Sequence, residues 1–86
     1  MRDVSIELAR LIKGKGIVKM VFDIDLGGIF LVKGCYLVEG VKRRFVRFPT
    51  TVSTGRVGGI WVTHQPTLNA IEELAEIEYK SLQKEV

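Results

Sequence analysis

The chain has 86 residues, 47% of them hydrophobic and 27% charged, with nine glycines, two prolines and a formal net charge of +3. That length suits one small domain, residues 1–86, which buries only about 60 to 65% of the surface its unfolded chain exposes, and the apolar content excludes a disordered chain. No apolar run approaches the roughly 18 to 20 residues of a membrane span, and the charges in "MRDVSIELAR" argue against a secretory leader, so no membrane partner is expected and the cytoplasm is the default location.

In chain order, "VSIELARLI" alternates Val4, Ile6 and Leu8 with Asp3, Ser5 and Glu7, the period of two of a half-buried strand. "KGKG" at 13–16 then breaks the pattern and reverses the chain. In "IVKMVFDIDL" the residues Val18, Met20, Phe22, Ile24 and Leu26 share one face, with Lys19, Asp23 and Asp25 on the other, which makes this the cleanest strand. Gly27 and Gly28 suit a two-residue hairpin turn into "IFLVKGCYLV", a run apolar on both faces and therefore expected in the middle of the sheet. "EGVK" makes the next turn, and a fourth strand ends at Pro49.

The stretch "TTVSTGRVGG" at 50–59 is small, polar and glycine-rich and reads as a surface loop, with a short strand "IWV" after it. The tail changes period: Leu68, Ile71, Leu74 with Ala75, and Leu82 fall on one stripe, predicting an amphipathic helix over about 66–84 with Thr67 or Thr63 as N-cap. Glu76 and Lys80 are ordered for an i,i+4 pair. The expected fold is α+β, a small antiparallel sheet of four to five strands over about 3–62 with the C-terminal helix packed on it.

Side-chain chemistry is sparse. One histidine, His64, and one cysteine, Cys35, leave no catalytic pair or metal set to assemble, so no enzyme activity, cofactor, metal or small-molecule substrate is expected. Cys35 reads as a small buried hydrophobe, His64 as a loop-to-helix residue and Trp61 as a core or interface residue. Asp23 and Asp25 share a strand face, which reads as solvated rather than as a cation site.

Charge is unevenly spread: eleven Lys and Arg face five Asp and Glu in residues 1–62, against two and five in 63–86. The basic part peaks in "VKRRFVRFP", where Arg43, Phe45 and Arg47 point to one side of a strand and Arg44, Val46 and Phe48 to the other. On the plain reading the arginines protect an exposed sheet edge. On the functional one Lys42, Arg43, Arg44, Arg47 and Arg56 neutralise phosphates, Phe45 stacks on a base, and Lys13, Lys15, Lys19 and Lys33 lie nearby. Composition does not choose between them.

The run "IFLVKGCYLVEGVKRRFVRFPT" resembles the middle of the SpoVG family of small septation and sporulation regulators, through Phe30, Val32, Leu37, Val38, Glu39, Gly40, Phe45, Val46 and Pro49 without a gap. The likeness continues through Gly55, "HQP" at 64–66 and Glu78-Tyr79, and so spans about residues 17–82. It implies a small α+β domain, a homodimer, and non-catalytic, regulatory binding of DNA or RNA. The family's Lys-Arg-rich segment after the proline is replaced here by Thr50 to Gly55, so that patch does not carry over, whereas Lys42, Arg43 and Arg44 occupy turn positions that are usually uncharged. The alternative expectation is a dimeric protein-interaction module whose basic edge binds an acidic partner, for instance the acidic helix of another subunit.

Overall fold

The computed structural model describes residues 4–53 and 56–85, and for 51–53 and 56–58 the backbone alone. Strands β1 (Val4–Leu11), β2 (Val18–Leu26), β3 (Phe30–Glu39) and β4 (Arg44–Arg47) form one antiparallel sheet in the order β1-β2-β3-β4. A separate two-stranded ribbon of β5 (Thr50–Ser53) and β6 (Arg56–Gly59) follows, and then helix α1 (Gln65–Lys84). The helix lies across the sheet, touching β1 and β4, so the fold is α+β.

The alternation of apolar residues decides which face the helix covers. Met20, Phe22 and Ile24 of β2, Val32, Cys35 and Leu37 of β3, Val4 of β1 and Val46 of β4 are buried on one side of the sheet. Ile71, Ala75 and Tyr79 of α1 close the core from above, with Leu74 and Leu82 packed beside them. Ile71, Ala75 and Tyr79 are spaced by four residues, one helical stripe. Truncating Phe22, which is 1% exposed, to alanine is expected to cost about 3 to 5 kcal/mol.

Strands β3 and β1 depart from strict alternation. In β3, Phe22 pairs with Cys35 but Ile24 pairs with Val32, so β3 carries one extra residue against β2. The bulge centres on Gly34, whose φ of +82° suits glycine and whose N–H donates to Asp23 Oδ1 at 3.1 Å. It lets Val32 and Cys35 both reach the core. In β1 the extra residue falls at Leu8 and Ala9, between the pairs Glu7 with Asp23 and Arg10 with Val21. Leu8 takes a φ of +50° and is turned out to solvent, whereas the simple alternation had placed it inward.

At the β2–β3 turn Gly27 and Gly28 have φ of +63° and +71°, the conformation of the expected tight turn. Asp25 Oδ1 accepts from Gly28 N at 2.8 Å, so both aspartates serve turn and bulge backbone. β3 is central, as its composition implied, but the helix covers only one of its apolar faces: on the other, Leu31 and Tyr36 are exposed and Val38 is buried.

Three further expectations fail. Residues 50–59 are not simply a loop, because Thr50, Thr51 and Val52 are β-branched and pair with 57–59 through Thr50–Gly59 to Val52–Val57. The "IWV" segment at 60–62 forms no strand, and Trp61 is 64% exposed, which removes the core half of the core-or-interface expectation. The N-cap is His64, not Thr63 or Thr67: it makes no side-chain cap bond, but its carbonyl accepts from Thr67 N and Leu68 N at 3.1 Å each. Its ring Nδ1 meets Thr67 Oγ1 at 2.8 Å.

Candidate nucleic-acid interface

The two arginines that open "RRFVRF" are held by the helix of the same chain. Arg44 faces the core side of β4, beside buried Val46. Its Nε donates to both oxygens of Glu76 at 2.9 and 3.2 Å, its Nη2 reaches Glu76 as well, and its Nη1 donates to Glu39 Oε1 at 3.1 Å. The guanidinium also sits 4.9 Å from the Tyr79 ring centroid, in cation–π range. Hydrogen bonding from Arg44 holds the Glu76 carboxyl below its ordinary value, and the same bonds push Arg44 further up. Arg43 pairs with Glu72 at 3.1 Å, and Glu72 also takes the outward N–H of Val46 at 3.5 Å. Lys80 joins the group 3.9 Å from Glu76, the i,i+4 pair the sequence implied.

Arg43, Arg44, Glu39, Glu72 and Glu76, together with Lys42 and Glu73, line an open cleft of about 480 Å³ between the β3–β4 turn and the helix. Its two arginines are already met by carboxylates. Arg44 in particular is a structural tie between the sheet and the acidic helix of its own chain.

The other half of "VKRRFVRFP" has the opposite orientation. Phe45 and Arg47 project from the sheet face that the helix leaves uncovered, opposite Val38 and Tyr36 respectively. On that face the register aligns Arg10, Val21, Tyr36 and Arg47 in one row across all four strands. Val18, Val38 and Phe45 form the next row; a register shift between Val18 and Met20 puts Val18 on this face, whereas the alternation had placed it with Met20. Glu7, Asp23 and Asp25 lie further along, toward the β2–β3 turn. Beyond β4, Trp61 and Ile60 border a hollow of about 300 Å³ shared with Phe45, Arg47 and Phe48.

Topology adds a second grouping. In a four-stranded meander the β1–β2 and β3–β4 turns lie at the same end of the sheet, and here Glu39 N–H donates to Ile17 O at 2.7 Å, tying the two together. Lys13, Lys15 and Lys42, all exposed, therefore gather at one end, with Lys19 at the start of β2. The carboxylates of the open face lie toward the other end.

Of the residues the sequence singled out, Lys42, Phe45 and Arg47 are accessible and Arg43 is exposed yet paired. Arg44 is spoken for, and the side chain of Arg56 lies outside the described residues, as does Gly55. Tyr36 and Arg10 were missed, since only strand register shows that they share this surface, and Trp61, read as a core or interface residue, borders it. Cys35 is buried, its thiol pushed up to about 11 by burial first and by Asp23 second. Among the described residues no three His, Cys, Asp or Glu side chains gather as a metal set, and no helix is long and apolar enough to cross a membrane. The chain matches no family model, no curated protein and no solved structure.

Proposed function

We propose that this chain is a non-catalytic, SpoVG-like regulatory protein that binds DNA or RNA as a homodimer, holding phosphates at the basic end of its sheet. The observation that carries this reading is the convergence of Lys13, Lys15 and Lys42 on one end through the Glu39–Ile17 hydrogen bond, with Arg47 and Arg10 on the adjoining open face. Mobile, solvated lysines of this kind suit sequence-tolerant phosphate contact. Arg43 and Arg44 play the lesser part: reversing Arg44 to glutamate would set a third carboxylate against Glu39 and Glu76 and unfold the β4–helix contact, which makes it a poor probe of binding.

Pairing of two copies is supported by the exposed Leu8, Ile29, Phe30 and Leu31. The last three sit at or beside the β2–β3 turn, the end of the sheet away from the lysines, so that pairing there leaves the cations free.

The test is fluorescence anisotropy with mixed-sequence DNA and structured RNA at about 50 and 200 mM salt, where each phosphate neutralised contributes about 0.7 to 0.9 to the slope of log K against log salt. The triple variant Lys13→Glu, Lys15→Glu, Lys42→Glu is expected to keep its circular dichroism and lose most of the low-salt affinity. Unchanged affinity in that variant would overturn the assignment.

A further inference from the structure

Two aromatic side chains share the open face: Phe45 is half-buried opposite buried Val38, whereas Tyr36 stays exposed. A sheet face left to water is normally furnished with polar residues alternating against the buried ones. Here its centre carries half-buried Val18, Val21 and Phe45 around buried Val38 instead, and Tyr36, on the central strand β3, remains exposed. Phe45 lies diagonally from Tyr36 on β4, one register step away. Its ring is held in place: it packs so closely over Gly40 that a methyl group there would meet it at 3.0 to 3.2 Å. Trp61, on the far side of Phe45, borders the same hollow as Arg47.

Cations flank these rings. Arg47 and Arg10 terminate the Tyr36 row, three strand spacings or about 14 Å apart, and the lysine-bearing turns lie at the near end of the sheet. No hydrogen bond or ion pair engages the side chain of Arg10 or Arg47 among the described residues. The carboxylates Glu7, Asp23 and Asp25 occupy the opposite half of the face, which leaves one half both aromatic and cationic. A duplex presents its phosphates outward and keeps its bases stacked inside, so it has no use for flat apolar rings between cations. An unpaired strand has exposed bases that do.

We infer that the open sheet face is a stacking platform for single-stranded nucleic acid, with Tyr36 and Phe45 each holding a base and Arg47 and Arg10 meeting the backbone on either side. This rests on the nucleic-acid reading above and narrows its ligand class from phosphate polymers at large to strands with unpaired bases. Trp61 extends the platform past the edge of β4, where it is placed to report on an arriving strand.

The experiment compares the intact protein's affinity for a short mixed-sequence single-stranded DNA and for the duplex of the same sequence, at one low salt concentration, by anisotropy and by quenching of Trp61, the chain's single tryptophan. The single strand is expected to bind more tightly and to quench Trp61. Tyr36→Leu keeps apolar bulk on β3 but removes the ring, and is expected to weaken single-strand binding about 5- to 150-fold, the loss of one stacked base, with little change for the duplex. Tyr36→Phe keeps the ring and is expected to bind as the parent does, which separates stacking from any general disturbance of the sheet. Equal affinity for single strand and duplex, with Tyr36→Leu unchanged, overturns the platform and leaves phosphate binding standing. Absence of binding to either nucleic acid overturns both readings. Dissociation of a dimer by Tyr36→Leu, seen by light scattering without a change in nucleic-acid affinity, assigns the face to contact between copies and also overturns the platform.

Discussion

At the scale of single residues, Arg44 shows how far a side chain's role depends on the face it occupies. One position away from Phe45, it looks inward and holds two glutamates that lie 5 residues before and 32 residues after it in sequence. Replacing Glu76 by glutamine is expected to cost about 1 kcal/mol at neutral pH, a value kept low because the pair is still more than a quarter exposed. Since the folded carboxyl titrates below its ordinary value of 4.5, its contribution is complete above that pH and disappears as pH falls through the depressed folded value. Urea melts of the parent and Glu76→Gln at neutral and acid pH should therefore converge in acid; a gap that persists would mean the bond stabilises without its charge. Cys35 offers a simpler check. With its thiol raised to about 11 and buried under the helix, it should react with a disulfide reagent only when the chain opens, so native protein is expected to label slowly and urea-unfolded protein at once.

At the scale of elements, an apolar run located β3, the helical stripe located α1, and period-two alternation located β1, β4 and β2, the last almost to the residue at its ends, because burial on one face imposes such a period directly. It could not register the bulges. Gly34 reads in sequence as a weak point in a strand, and only its pairing shows that it is the extra residue which turns Val32 and Cys35 to the same side. Its positive φ makes Gly34→Ala a defined test: space for the methyl exists, as nothing lies within 4 Å of it, so the loss comes from backbone conformation alone, about 1 to 2 kcal/mol. A thermal melt shifted downward by several degrees is expected, and an unshifted one would mean the bulge relaxes. The β5–β6 ribbon escaped notice because its glycines and threonines match loop composition, and β-branching at Thr50 to Val52 was the signal that could have found it. The N-cap was misplaced since Thr67 already lies inside the helix, where its hydroxyl meets the His64 ring, and His64 precedes the first turn and accepts from its N–H groups through the carbonyl.

At the scale of the whole molecule, the candidate site was legible in its residue types and illegible in its arrangement. "VKRRFVRFP" announced cations and aromatics, but a strand sends its neighbours to opposite faces, so half of the motif became a brace and half became surface. The meander then recruited Lys13 and Lys15 from some 30 residues upstream, which composition had named only as neighbours. One expectation belongs to this scale: at micromolar concentration light scattering should report a dimer, and charged substitutions at Ile29 and Leu31 should yield monomers that still bind nucleic acid, whereas a parent that is already monomeric would remove dimerisation from the reading. The helix also imposes an order of events. It is the last element in the chain, yet it rests on β1, the first. While the ribosome is still delivering residues 65–84, the meander has one greasy side with nothing on it, and any chaperone or sister chain nearby meets that side before the helix does. A stop codon placed before the helix should thus produce aggregates instead of a smaller folded sheet.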